Sequence, residues 1–242
     1  PPMQDAFLLS GCRTAIGGFG GVTKDVPLER LGAVAIREAL RRAGVEDAEV
    51  EEVAMGNVLQ AGNEICPARV AALTAGLPDS IPAFTINKAC GSGMKATELA
   101  AQAIRLGEAD LLVAGGMESM NRVPYALLDA RTGYRMGNGK VVDLLVNGLT
   151  CPIAGVHMGV TAENVAERHG ITREEQDAFA AASYEKALKA QAAGKFREEI
   201  VAFEIQPKRG DAVRFDTDED PKPTGLDGLS KLRPAFKKDG TV

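Results

Sequence analysis

One stretch constrains this chain more than any other. Ile81-Pro82-Ala83-Phe84-Thr85-Ile86 is a short apolar run of the length of a buried strand. Asn87-Lys88-Ala89-Cys90-Gly91-Ser92-Gly93-Met94-Lys95 follows it. An Ala-rich segment then runs from Met94 to Leu106, and Gly107 closes it as a C′ glycine closes a helix. Cys90 is therefore expected on a strand-to-helix turn, at or beside a helix N-terminus. Backbone N–H groups and the positive end of the macrodipole favour a thiolate in such a place. Gly91 and Gly93 carry no side chain, so a substrate can approach the backbone closely. A lone cysteine is most often a buried structural residue. The Gly-Ser-Gly after Cys90 favours display instead, as in the nucleophile elbow of hydrolases.

The flanking segments continue the alternation of strand and helix. Ala6-Phe7-Leu8-Leu9 reads as a first strand and the Gly-rich stretch 16–22 as a plain loop, having neither G-x-G-x-x-G nor a Walker lysine. Asp25 and Pro27 open a helix with Leu28, Leu31, Ala35 and Leu40 on one face, ending at Gly44. Strands are expected over 50–58 and 111–114, with a short helix over 67–75 between them. The Cys90 helix carries only Lys95, Glu98 and Arg105 as charges. Its Ala96, Ala100, Ala101 and Ala103 make it thin enough to pack between layers. The fold class that follows is α/β, layered, with a mostly parallel sheet.

Beyond Met120 the texture changes. Residues 121–155 show no sustained period, and so long an irregular excursion is usually functional or an interface. Thr161 is expected to cap a helix ending at His169-Gly170. Thr172-Arg173-Glu174-Glu175 is a capping box for the next helix, which ends near Gly194. Residues 200–205 read as a strand, 211–228 as a polar loop, and 229–236 as a short helix or turn.

Composition excludes several classes of function. The net charge of −5 gives no general attraction to nucleic acid or an anionic membrane. No apolar run reaches the ~20 residues that cross a bilayer, and no signal peptide is visible. The 45% hydrophobic and 25% charged residues fit an ordinary soluble globular chain. Cys12, Cys66, Cys90 and Cys151 are widely spaced and form no C-x-x-C pair, which argues against a metal site or disulfide framework and fits a reducing, cytoplasmic setting.

The stretch around Cys90 resembles the nucleophile motif of the thiolase family, the enzymes that cleave and form β-ketoacyl-CoA. Other segments agree in the family's order: Arg13-Thr14-Ala15-Ile16-Gly17, Gly56-Asn57-Val58-Leu59-Gln60-Ala61-Gly62, Ala114-Gly115-Gly116-Met117-Glu118-Ser119-Met120, His157-Met158-Gly159 through Asn164, and Leu232-Arg233-Pro234-Ala235-Phe236. The resemblance implies a thiolase-like fold with residues 1–119 as the N-terminal α/β domain and 120–242 as an inserted loop domain for CoA binding and interface. Thiolases continue beyond the position of Gly240-Thr241-Val242. It therefore implies a C-terminal half, on a second chain or fragment, that brings the activating histidine and an acid–base cysteine. A homo-oligomer, dimer or tetramer, is implied as well.

Read without the family, Cys90 and His157 form the obvious Cys/His pair; His169 at a helix C-terminus is explained by the dipole. The resemblance instead makes Cys90 the catalytic nucleophile and puts His157 beside the acyl-pantetheine arm. It places Leu149, Met158, Ala235 and Phe236 along the same tunnel. Lys208, Arg209, Arg214, Lys222, Lys231 and Arg233 could meet the phosphates or adenine of CoA. Lys222 stands near where thiolases often carry an arginine, though it lacks the flat guanidinium that stacks on a base. The implied reaction is acyl transfer through a covalent acyl-cysteine, with coenzyme A and acetyl-CoA as substrates and no tightly bound cofactor. Two other readings share parts of this pattern. A decarboxylating β-ketoacyl synthase has the fold and cysteine, but the long loop domain and Gly-Ser-Gly speak against it. A non-catalytic thiolase-like CoA-binding subunit is the other.

Overall fold

The structure is a computed structural model and describes residues 4–207 and 210–242. It divides into two units, Pro1–Pro124 with Arg197–Asp218, and Tyr125–Phe196 with Glu219–Val242. This differs from an expected division at 119/120, because 197–218 return to the first unit. Specific bonds hold them there. The Arg13 N–H donates to Glu199 O and the Val201 N–H to Arg13 O, both at 2.8 Å. The Arg13 guanidinium grips both oxygens of Asp218 at 2.7 and 3.0 Å. Ala15, Val26, Ile205 and Phe215 close a small apolar cluster of their own.

The first unit is a layered α/β arrangement. Helix α1 (Leu28–Ala43) starts behind Pro27 and stops at Gly44, whose φ of 67° lets its N–H reach back to Leu40 and Arg41. Strand β1 (Glu52–Gly56), helix α2 (Pro67–Thr74), strand β2 (Ala83–Ile86), helix α3 (Ser92–Leu106) and strand β3 (Leu112–Gly116) follow. The three strands are parallel in the order β2-β1-β3. Alternation along the strands sorts the layers. Val53 and Met55 of β1 enter a core with Leu28, Ile36 and Leu40 of α1 and Ala68, Ala71 and Ala72 of α2. On the opposite face Ala54 pairs with Ala114 and Gly56 with Gly116. That face is nearly flat, and α3 lies on it through Ala96 and Ala100. Strands β8 (Phe203–Ile205) and β9 (Val213–Phe215) form an antiparallel hairpin whose phenyl rings meet edge to face at 5.9 Å.

The second unit is made of short pieces and two long helices. Strands β4 (Tyr125–Ala126) and β5 (Val142–Asp143) pair, as do β6 (Thr150–Cys151) and β7 (Val156–His157). Asp143 caps α4 (Leu144–Gly148) by accepting from the Leu145 and Val146 N–H groups. Helix α5 (Met158–His169) ends at Gly170 with φ 65°. Helix α6 (Arg173–Ala192) opens with the expected capping box of Thr172 and Glu175, and α7 (Leu226–Leu229) is one short turn. No helix among the described residues is long and apolar enough to cross a membrane.

Three local expectations are corrected. Residues 6–9 form no strand: Phe7, Leu8 and Leu9 are 77, 86 and 61% exposed. An apolar run becomes a strand only beside a ladder partner, and the bridge of Arg13 with Ile200 forms beyond this run. Thr161 does not cap α5. The cap is four residues earlier, at His157, whose ring accepts from the Gly159 N–H, while the Thr161 hydroxyl donates to Met158 O inside the first turn. Residues 211–228 contain β9 and the start of α7 rather than loop alone; at β9, pairing with β8 overrides the polar local composition.

Candidate active site

The carboxyl ends of β1, β2 and β3 lie side by side, the edge where open parallel sheets place ligands. Residues 87–91 carry the chain from the end of β2 to the start of α3 at this edge. The turn is bonded from both sides. The Asn87 side-chain oxygen accepts the Ala89 N–H at 3.0 Å. The Ser92 hydroxyl accepts the Lys88 N–H at 2.8 Å and donates to Ala89 O at 2.6 Å. Between these anchors Ala89 has φ 47°, the one non-glycine positive φ among the described residues. A left-handed alanine costs about 1–3 kcal/mol, and such strain persists only where its surroundings over-determine it. Cys90 is the next residue, exposed, directly before the Gly91 N-cap of α3.

Glycines let the helix start come down onto the sheet. A β-carbon on Gly56 would lie 2.5 Å from the Gly93 nitrogen, and one on Gly116 would lie 3.2 Å from the Gly93 α-carbon. Backbone thus rests on backbone at the first turn of α3, and no side chain holds Cys90 away from the strand ends.

The second unit brings together five of the expected residues. The Met158 N–H donates to Leu149 O at 2.8 Å, and His157 pairs with Thr150 in the β6–β7 ladder. The His157 ring stacks on Phe236 at 5.1 Å and 15°. Gly159 leaves room for that phenyl, since a β-carbon there would collide with it. The Ala235 N–H donates to Val242 O at 2.9 Å, fixing the stretch beside Phe236. His157 Nδ1 accepts the Gly159 N–H at 3.0 Å and so serves as the cap of α5. Lys222 belongs to a different place, a cavity of 460 Å³ between α6 and residues 222–226, which Tyr184 and Glu185 also line. Arg214 pairs with Asp216 at 2.8 Å. Lys208 and Arg209 lie outside the described residues.

The remaining cysteines are half-buried. Burial pushes the Cys12 thiol up, outweighing the nearby Arg42 charge, and its S–H donates to Ala35 O at 3.2 Å. Cys66 sits 3.7 Å from the Thr85 hydroxyl, and the Cys151 sulfur accepts from the Ala154 N–H. Among the described residues no three His, Cys, Asp or Glu side chains gather as a metal site would require.

Sequence reasoning missed the polar residues directly after β1 and β3. Asn57 is 1% exposed and donates to Glu118 Oε1 at 2.7 Å. Glu118 Oε2 accepts the Val58 N–H at 2.9 Å and the Leu59 N–H at 3.4 Å. Their signal was positional: each is the first strongly polar residue beyond a strand of the parallel sheet. It also missed Glu163 of α5, which is buried and accepts the Thr241 and Val242 N–H groups at 2.9–3.0 Å.

Fold and turn together define an α/β protein that presents a cysteine at the carboxyl edge of a parallel sheet. A family model described as the thiolase N-terminal domain matches residues 6–242, and the chain belongs to the thiolase family. Two curated relatives are both named acetyl-CoA acetyltransferase. That of Pseudomonas aeruginosa is 50% identical over 242 residues, and that of Cupriavidus necator 53%; each match covers 99% of this chain and 62% of the relative. The crystal structure of the Bacillus anthracis acetyl-CoA acetyltransferase superposes with a TM-score of 0.96 at 42% identity, over all of this chain and 61% of that one. The chain thus spans about three fifths of the length of the relatives it matches.

Proposed function

We propose that this chain supplies the nucleophilic half of a thiolase that transfers acyl groups between coenzyme A and Cys90. The observation that carries the reading is the exposed Cys90 on its strained, doubly anchored turn at the head of α3. In the thiolytic direction the Cys90 thiolate attacks the keto carbon of a 3-oxoacyl-CoA, acetoacetyl-CoA in the simplest case. The bond between carbons 2 and 3 breaks, acetyl-CoA leaves as its enolate, and an acid protonates it. Free CoA then gives its thiol proton to a base and takes the acyl group, returning the Cys90 thiolate. The reverse course condenses two acetyl-CoA. By family resemblance the acid and base are a cysteine and a histidine of the C-terminal half. An oxyanion on the reacting carbonyl needs donors about 3 Å away, and the Cys90 N–H is the candidate from this chain.

His157, Met158, Leu149, Ala235 and Phe236 are read as the wall along which the pantetheine arm lies, His157 as a contact and not as the base. Its Nδ1 is already occupied as the cap of α5, which supports that assignment. Lys222, on its cavity beside α6, is read as the cation for the nucleotide end of CoA. A cytoplasmic homo-oligomer completes the reading, on the resemblance alone. The test is to incubate the full-length protein with acetyl-CoA and map the acylated peptide. Acetyl on Cys90, discharged by free CoA, is the expected result. Acetyl on Cys12, Cys66 or Cys151 with Cys90 free overturns it.

A further inference from the structure

We propose that Glu118 is a positioning residue for Cys90, acting through a continuous hydrogen-bonded path across the carboxyl edge of the sheet. The proposal rests on the reading of Cys90 as nucleophile. The path has four links. Glu118 Oε2 accepts the Val58 N–H at 2.9 Å. The other face of that residue, Val58 O, accepts the Asn87 side-chain N–H at 3.2 Å. Asn87 Oδ1 accepts the Ala89 N–H at 3.0 Å. Ala89, held at φ 47°, leads directly to Cys90. Each element touched is a strand end: Glu118 follows β3, Val58 follows β1, and Asn87 follows β2. The order of the sheet places β1 between the other two, so along the strand ends it is the β1 loop that joins β3 to the β2 turn.

Three features argue for a device more specific than a loop tie. Glu118 takes three N–H donors, from Asn57, Val58 and Leu59, with its two oxygens, which fixes the direction of the Val58 peptide. Asn57 is 1% exposed, yet among the described residues its Oδ1 has no hydrogen-bond partner, an arrangement that costs about 1–3 kcal/mol. Its amide is thus oriented by Glu118 and Met117 O alone, both on the β3 side. The strained Ala89 needs surroundings that over-determine it. Ser92 supplies one half of these from α3, and Asn87 the other half. Asn87 can hold Ala89 only while its own amide is held by Val58 O.

The role of Glu118 is geometric, which gives it a distinctive variant order. In Glu118→Gln one oxygen still accepts from Val58, and the new amide N–H can donate to Asn57 Oδ1 once that side chain turns over. Glu118→Ala removes all three bonds that Glu118 makes, to Asn57, Val58 and Leu59, and leaves the Val58 peptide without its anchor on the β3 side. The experiment uses the full-length protein and reads three quantities: the rate of Cys90 carboxamidomethylation by iodoacetamide, with the alkylated peptide mapped, kcat, and KM for acetoacetyl-CoA. Loss of the path is expected to slow alkylation and kcat of Glu118→Ala by about tenfold with KM unchanged, the size of one lost charge-assisted bond. Glu118→Gln should recover most of both rates. Asn87→Ala should reproduce the Glu118→Ala defect, and the double variant should be no slower than either single one, because both break one path.

Equal alkylation rates for Glu118→Ala and wild type overturn the proposal. So does a Glu118→Gln as slow as Glu118→Ala, which would make the charge and not the geometry decisive. If Glu118→Ala does not fold, Asn87→Ala and Glu118→Gln decide by the same readings. The alkylation order needs no turnover. If acetyl-CoA fails to acylate wild-type Cys90 while the variant order holds, the thiolase reading falls and the positioning of Cys90 stands.

Discussion

The two units of this chain are held together by different physics. In the first, Leu28, Ile36, Val53 and Ala68 are each at most 2% exposed, in one apolar core between two helices and a sheet face. In the second, the buried apolar side chains among the described residues are Ala166 and Leu229, while Glu163 and Asp177 are buried beside them. Its twenty-residue helix α6 buries one residue, Asp177, which pairs with Arg173 at 2.9 Å; Arg173 also donates to Leu229 O. Glu163 holds Thr241 and Val242, Gln176 holds Thr241, and His157 stacks on Phe236. One unit is thus organised by burial and the other by caps and polar ties. Burial makes a rigid platform, and it is the platform that carries Cys90.

The largest effect should come from opening the first core. Leu28→Ala is expected to cost about 2–5 kcal/mol and to lower the thermal midpoint of the whole first unit. A loss confined to a few tenths of a kcal/mol would show that the core does not organise that unit. In the second unit, His157→Ala removes both a cap and a ring contact. It should weaken substrate use by about 1–3 kcal/mol while Cys90 still alkylates at the wild-type rate. Loss of Cys90 alkylation in a folded His157→Ala protein would make His157 the activating base. Thr172→Ala breaks the capping box of α6 and should cost about 0.5–2 kcal/mol, seen as faster amide exchange over its first turn. Unchanged exchange there would mean that the box contributes nothing to α6.

The smallest effect is local and depends on pH. The Thr241 and Val242 N–H groups hold the Glu163 carboxyl below its ordinary value of 4.5. Its contribution is complete above that value and is lost as pH falls through the lower folded value. Acid should therefore release the Thr241 and Val242 amides to exchange while amides of β1 stay protected. Release of both regions together would erase the distinction between the units.

The same difference explains what was legible in sequence. Helices α1, α2 and α3 and the strands of the sheet show as apolar periods with glycine or proline at their ends, and they appear within a few residues of where they were expected. The capping box at Thr172 is a local signal and was equally readable. Contacts between distant segments were not. Nothing near residues 6–9 reveals that the strand-like run lacks a ladder, and nothing near 197–218 reveals that Arg13 grips Asp218. The start of α5 was misplaced because an imidazole, not the nearby Thr161 hydroxyl, caps it. At the candidate site the turn at Cys90 was readable from Gly91 and Gly93. The path from Glu118 was not, because it crosses three strand ends that are far apart in sequence.

The central claim is that the carboxyl edge of the sheet displays Cys90 and withholds the other thiols. The most direct measurement is the alkylation rate of each of the four cysteines in the full-length protein, peptide by peptide, with and without acetyl-CoA. Cys90 should react first and be protected by acetyl-CoA. Cys12, whose thiol burial pushes up, should lag well behind. Faster labelling of Cys66 or Cys151 with Cys90 intact, or a Cys90 rate indifferent to acetyl-CoA, would contradict the account.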